Sequence, residues 1–278
     1  MLPNFLVIGA MKAGTSSMYR YLRLHPDVFM PDMKEPQFFV AERTWPLGVE
    51  WYERLFDQGI GKKAIGEAST GYTKHPAHPG VPERIFSLMP EVRMIYLIRD
   101  PIERIRSHYM HNAAAGANPP PINEVVLNDP VFVAHSCYAM QIERYLDVFP
   151  RSQILVIKSE DMLHDRRPTL RRVFEFLDID PDFENPLHGN EFHRSIDKRT
   201  PRVFMDGLRG YPMFQSVVAR VPTSVKLKLD TRLSLMTKTP KFETISPSVV
   251  AELKDRLRED MIRLKGHMEP GFEPWGLA

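Results

Sequence analysis

Phe5-Leu-Val-Ile-Gly-Ala-Met-Lys-Ala-Gly-Thr-Ser-Ser17 sets the architecture of this chain. The apolar residues Phe5 to Ile8 run into Gly9, and Gly14, Thr15, Ser16 and Ser17 follow before a helical pattern begins. The apolar run reads as a buried parallel strand, and the Gly-bounded loop opens on a helix N-terminus. Backbone N–H groups converge at such a junction, and the helix dipole favours negative charge there. The segment is therefore an anion cradle. A nucleotide triphosphatase loop reads G-x-x-x-x-G-K-[ST], with Lys after the second Gly. Here Thr15 fills that slot and Lys12 lies inside the loop, which gives a phosphate-type cradle of another kind.

Outward from the cradle, strands and helices alternate. Ser16 to Leu24 predicts the first helix, ending near His25-Pro26, and Ala64 to Ala68 a short strand. Val92 to Ile98 is a second strong apolar run. Asp100 can cap the next helix with Pro101 in its first turn, so that Ile102, Ile105 and Tyr109 face the core. Ala113 to Pro121 reads as a mobile Gly/Pro-rich loop. Ile142, Tyr145, Leu146 and Phe149 form a helical stripe, Gln153 to Ile157 a strand, and Leu170, Val173, Phe174 and Leu177 another stripe. This alternation predicts an α/β fold, a P-loop-like central parallel β-sheet flanked by helices on both faces. We read a single domain with a core over residues 1–184, an irregular lid over 185–245, and a terminal helix and tail over 246–278. In that last helix Val250, Leu253, Leu257, Met261 and Leu264 line one face, with Gly266 as the stop.

Composition narrows the function. The 278 residues are 43% hydrophobic and 26% charged, an ordinary globular balance. A formal charge of +2 does not suggest a general nucleic-acid binder, but it leaves room for a local basic site. Cys137 is the only cysteine, so no intrachain disulfide or thiolate metal cluster can form, which suits a reducing compartment. No apolar run reaches the roughly 18 residues that read as a membrane span, and no charged n-region precedes an apolar stretch.

The chain resembles sulfotransferases that use 3′-phosphoadenosine 5′-phosphosulfate. Lys12-Ala-Gly-Thr-Ser16 resembles their 5′-phosphosulfate loop, and Arg99 with Ser107 has the spacing of their 3′-phosphate pair. Gly66-Glu-Ala-Ser-Thr-Gly-Tyr72 is similar to the family's strand and loop after the first helix, and Lys34-Glu35-Pro-Gln-Phe-Phe39 to its heparan-sulfate-type branch. The resemblance implies that Lys12, Ala13, Gly14, Thr15, Ser16, Ser17, Arg99 and Ser107 hold the cofactor, and that a late basic loop, Arg194, Lys198 and Arg199, closes over it. It implies Glu35 as the base that deprotonates the acceptor, with Lys12 stabilising the leaving group and His75 as the rival base. Gln37, Phe38, Ser69, Tyr72, Lys74, Tyr138 and Gln141 are the expected acceptor contacts, while Trp45 and Trp51 could shape the pocket or pack in the core. Relatives often place His where this chain has Gln37, and Lys where it has Ala68, so Lys74 becomes the candidate substitute.

The expected reaction moves a sulfuryl group to a hydroxyl of a carbohydrate, glycolipid or other small acceptor, with no metal required. The basic stretch from Lys226 to Lys241 leaves room for an amphipathic acceptor and peripheral membrane contact. Lacking disulfides and a membrane span, the chain reads as a cytoplasmic, bacterial-type member. Two alternatives stand beside this reading: a nucleotide kinase or triphosphatase with an unusual loop, in which Asp100 would bind Mg²⁺, and a catalytically silent nucleotide-binding module.

Overall fold

The computed structural model describes residues 1–114, 120–189 and 243–278. Most of the predicted lid, including Arg194, Lys198, Arg199 and the basic stretch 226–241, lies outside the described residues.

Five strands, β1 (Phe5–Gly9), β2 (Val28–Phe29), β3 (Ala64–Ala68), β4 (Arg93–Ile98) and β5 (Ile154–Lys158), form one sheet in the order β2-β3-β1-β4-β5. Every neighbouring pair is parallel. Phe5 stands opposite Gly66 on one side and Arg93 on the other. Successive side chains of a strand point to opposite faces, and every residue of β1 and β3 is buried. Both faces are therefore covered, and the apolar run at Phe5 to Ile8 needs no polar alternation.

Among the described residues the α-helices are α1 (Thr15–Leu22), α2 (Val49–Arg54), α3 (Val81–Leu88), α4 (Pro101–Ala114), α5 (Ile122–Asn128), α6 (Pro130–Ala134), α7 (Tyr138–Leu146), α8 (Ser159–His164), α9 (Arg166–Phe176) and α10 (Pro247–Gly266). Asp100 starts α4 as expected: its Oδ1 accepts from the N–H groups of Ile102 at 2.8 Å and Glu103 at 3.1 Å. The helix continues through Ala114, so the first residues of the predicted loop are helical.

α10 ties two cores together. Met261 and Leu264 join the cluster built on the sheet. Leu253 and Leu257 join a smaller one with Ile105, Tyr109, Ile122, Val126 and Phe132. Between them, buried Asp260 accepts from the backbone N–H groups of Ala139 at 2.9 Å and Met140 at 2.8 Å. A side chain remote in sequence thus satisfies first-turn donors of α7 that have no partner within the helix.

Gly66 shows how tightly the sheet is covered. A Cβ there would stand 2.4 Å from the Phe5 ring. Gly66→Ala is expected to destabilise the fold by about 1–3 kcal/mol through overpacking, measured as a lower urea midpoint, and Phe5→Leu in the same chain should recover part of the loss.

Candidate active site

Ligands of open α/β sheets bind outside the carboxyl ends of the strands, and four loops meet there. The loop after β1 is coiled by two left-handed residues, Lys12 with φ 72° and Gly14 with φ 93°. Its backbone is held from neighbouring strands: Ala10 N–H donates to the Leu97 carbonyl at 2.6 Å, and Ser159 Oγ donates to the Ala13 carbonyl. Arg99, which follows β4, places Nη1 3.4 Å from the Lys12 carbonyl and Nη2 3.6 Å from Glu103 Oε2. α1 opens at Gly14 with no side-chain cap, so its leading amides face the loop. Thr15 is buried and Ser16 and Ser17 are half-buried. Ser107 lies buried on α4, about two turns beyond Arg99.

The other half of the site is the Glu35 loop. Glu35 and Gln37 both take left-handed backbone, with φ 59° and 53°, which is unfavourable for residues other than Gly. Contacts on both sides fix it. Glu35 N–H donates to the Ala68 carbonyl at 3.1 Å, and Gln37 N–H to Ser69 Oγ at 3.0 Å. Thr44 Oγ1 donates to the Pro36 carbonyl at 2.7 Å. The Glu35 carboxylate receives Lys34 Nζ and Thr70 Oγ1, each at 2.9 Å. Burial alone would raise its pKa, but Lys34, these two hydrogen bonds and the charge of Lys74 outweigh that and hold it below the ordinary range. Lys74 is itself pushed down, by burial first and with Glu35 opposing. The proposed substitute for the lysine missing at Ala68 thus lies within electrostatic reach of Glu35.

Several of the expected acceptor contacts are buried and bonded within the protein. Phe38 is wholly buried and stacks on Tyr52 with centroids 4.2 Å apart, in a ring cluster that includes Trp45. Tyr138 donates to the Arg99 carbonyl at 2.7 Å. Buried Gln141 clamps His75: it donates to the His75 carbonyl and accepts from the His75 N–H, each at 2.8 Å. Tyr72 and Ser69 are buried and turn their hydroxyls to Glu67, at 2.5 and 2.8 Å. In the four polar residues among these five, the side-chain polar atoms hold backbone and carboxylate groups. Gln37, Lys74 and His75 remain at the mouth, partly exposed.

Two buried polar groups have no counterpart among the predicted site residues. One is Glu67. The other is a basic core of Arg104, His108 and His135. Arg104 is fully buried, donating to Ser136 Oγ at 2.5 Å and the Phe132 carbonyl at 2.7 Å, and burial lowers its pKa to about 10. The His108 and His135 rings lie 5.8 Å apart at 17°. Burial, reinforced by the Arg104 charge, pushes them down to about 2 and about 3.

The sulfotransferase domain family matches residues 2–202. The chain belongs to that family. It is 31% identical over 206 residues to the mouse bifunctional heparan sulfate N-deacetylase/N-sulfotransferase 4, covering 66% of this chain and 23% of the relative. It is 28% identical over 187 residues to the human heparan sulfate glucosamine 3-O-sulfotransferase 6, covering 64% of this chain and 52% of the relative. The aligned stretch is thus about a quarter to a half of these relatives' length. A crystal structure of a sulfotransferase from Alicyclobacillus acidocaldarius superposes with a TM-score of 0.62 at 29% identity, over 81% of this chain and 98% of that one. A mouse sulfotransferase complexed with PAP shares the fold, with a TM-score of 0.51 at 15% identity, over 93% of this chain and 84% of that one.

This sulfotransferase-family core has a definite acid response. His108 and His135 stay neutral when folded but take protons below about pH 6.5 when unfolded, so their stabilising contribution is present above that pH and lost as pH falls. Glu67 acts in the opposite sense: burial raises it from 4.5 to about 7, so its contribution is present below 4.5 and lost as pH rises through 7. Each group changes stability by about 1.4 kcal/mol per pH unit within its window. With two histidines against one carboxyl, acidification from about pH 6.5 to about pH 5 should lower stability. In urea titrations His135→Gln should flatten that slope, and Glu67→Gln should steepen it.

Proposed function

We propose that the chain is a sulfotransferase that takes a sulfuryl group from 3′-phosphoadenosine 5′-phosphosulfate and places it on a carbohydrate hydroxyl. One observation carries this reading: the Lys12 loop, Arg99 and the Glu35–Lys74 pair converge at the carboxyl edge of a single sheet. The loop supplies left-handed turns, an ammonium and a helix N-terminus, which together fit a phosphosulfate. In this reading Lys12 and the stretch Ala13 to Ser17 grip the 5′ group. Arg99 and Ser107 grip the 3′-phosphate, Arg99 having the planar fork that suits it. The bound donor supplies an activated sulfuryl group. Charge spreads over its oxygens during transfer, by analogy with phosphoryl transfer, and Lys12 is placed to stabilise the leaving oxygen.

Glu35 is the proposed base. Its lowered pKa keeps it ionised at neutral pH and so able to accept the hydroxyl proton. Lys74 replaces, from the turn after β3, the cation that Ala68 cannot provide, which argues against a silent binding module. The kinase alternative needs Asp100 for a metal, whereas its Oδ1 already caps α4. A carbohydrate acceptor is favoured by the names of the relatives, two of which act on heparan sulfate.

Calorimetric titration with 3′-phosphoadenosine 5′-phosphate, against adenosine 5′-phosphate as control, tests the donor site. The bisphosphate should bind more tightly, and Arg99→Ala should weaken it about 10- to 150-fold, the range of a charge-assisted hydrogen bond. Transfer of labelled sulfate to a panel of saccharides tests the chemistry. Glu35→Gln should reduce kcat about 10²- to 10⁴-fold and leave bisphosphate affinity unchanged. Equal affinity for the two nucleotides would overturn the reading.

A further inference from the structure

Glu67 sits on β3 beneath the Glu35 loop, 1% exposed. Three hydroxyls converge on it: Tyr72 at 2.5 Å and Tyr52 at 3.3 Å on Oε1, and Ser69 at 2.8 Å on Oε2. Tyr145 also feels its charge, and the charge of Glu35 acts on Glu67. The carboxylate can only accept, so Ser69 must give it its single hydroxyl proton. That fixes the Ser69 rotor and turns its lone pairs outward, where one accepts the Gln37 N–H at 3.0 Å.

Gln37 is one of the two left-handed residues that present Glu35. The loop backbone has two anchors on the end of β3, beside the Thr70 hydroxyl that holds the Glu35 carboxylate itself. The first, Glu35 N–H to the Ala68 carbonyl, is backbone only. The second runs through Ser69 and depends on Glu67.

We propose that Glu67 is a positioning residue that holds Glu35 in its working place through the relay Glu67–Ser69–Gln37. The proposal rests on the reading of Glu35 as the base. It also gives the loop a proton dependence. Protonated Glu67 carries its own O–H, and in the proposed relay that proton sits on Oε2, where it donates to Ser69 Oγ and reverses the bond that Ser69 now makes. The ionised form is the one that orders the loop. Burial raises Glu67 to about 7, with the Tyr72, Ser69 and Tyr52 hydrogen bonds opposing and the Glu35 charge adding to the rise. Glu35, held low by Lys34, Thr70 and Lys74 despite its burial, does not titrate there.

The Gln37 amide, followed by ¹H–¹⁵N correlation spectra across neutral pH, reads the relay without any acceptor. In the wild type it should titrate with a midpoint of about 7, and the titration should vanish in Glu67→Gln and in Ser69→Ala. Both variants should keep wild-type affinity for 3′-phosphoadenosine 5′-phosphate, which shows the fold intact. Both should lose about 10- to 100-fold in kcat for the best saccharide, as a displaced catalytic group does, with KM for the donor unchanged. Tyr52→Phe removes one donor to Glu67 outside the relay, so it should move the midpoint upward and leave the alkaline plateau of kcat unchanged. A wild-type Gln37 amide that does not titrate, or Glu67→Gln with wild-type kcat and an unaltered pH profile, overturns the proposal. A separate result, full activity in Glu35→Gln, would instead remove the base reading, and the Gln37 titration would still report whether the relay exists.

Discussion

Thr73 occupies the space that a side chain on Gly9 would need. A Cβ at Gly9 would stand 1.9 Å from the Thr73 hydroxyl oxygen, which donates to the Ile8 carbonyl at 3.1 Å. This contact joins the end of β1 to the turn after β3. The proposed donor loop begins at one side of it, and Lys74 and His75 follow at the other. Without the close approach the anion cradle and the acceptor-side turn would be separate features of neighbouring strands. The glycine is therefore required by distance, and the loop's left-handed turns at Lys12 and Gly14 come after a position already fixed by packing.

The parts of the fold legible in sequence are those whose burial leaves a periodic record. β1, β4 and β5 are unbroken or nearly unbroken apolar runs, and α10 shows Leu253, Leu257, Met261 and Leu264 at helical spacing. Two-residue β2 and the short α5 and α6 carry too few positions for a period to stand out. The cradle was legible because Gly9, Lys12 and Gly14 have a spacing with direct steric meaning. Its surroundings were not. Tyr138 and Gln141 have the chemistry of ligand contacts, and sequence shows what a side chain can bond, not which partner reaches it first. In the fold, Arg99 and His75 backbone atoms reach them first. Glu67 was opaque for a similar reason. A carboxylate between Gly66 and Ala68 gives no sign of burial until tyrosines from α2 and from the turn after β3 are placed around it.

Buried Arg104 and Glu67 lie on different sides of the described core. On the α4 side, Arg104 is held by the Phe132 carbonyl and the Ser136 hydroxyl beside the neutral rings of His108 and His135, while its Nη1 and the Nδ1 atoms of both histidines are buried without a hydrogen-bond partner among the described residues. On the β3 side, Glu67 is satisfied by hydroxyls. Neither group relies on an opposite charge in contact, and burial is the largest influence on both. A hydroxyl cage satisfies a carboxylate without neutralising it, so Glu67 stays responsive to protons near neutrality, where a carboxylate paired with arginine would be fixed in the ionised form.

Lys74 lies electrostatically between these regions. Burial lowers its pKa most, the charge of Glu35 opposes that, and those of Arg43 and Arg104 add to the fall, while its own charge helps to depress His108 and His135. A lysine so placed gains most from whatever negative charge comes nearest. In the resting site that charge is Glu35. When Glu35 takes a proton from an acceptor hydroxyl, as the proposed chemistry requires, its charge is lost and the acceptor oxygen or the sulfuryl group becomes the nearest anion. In the proposed mechanism the cation is then available to the reacting atoms at the step where negative charge develops. Moving the lysine from position 68 to position 74 takes it off a fully buried strand, where Ala68 is 1% exposed. On the turn after β3 the side chain is partly exposed, as the proposed exchange of one partner for the other requires.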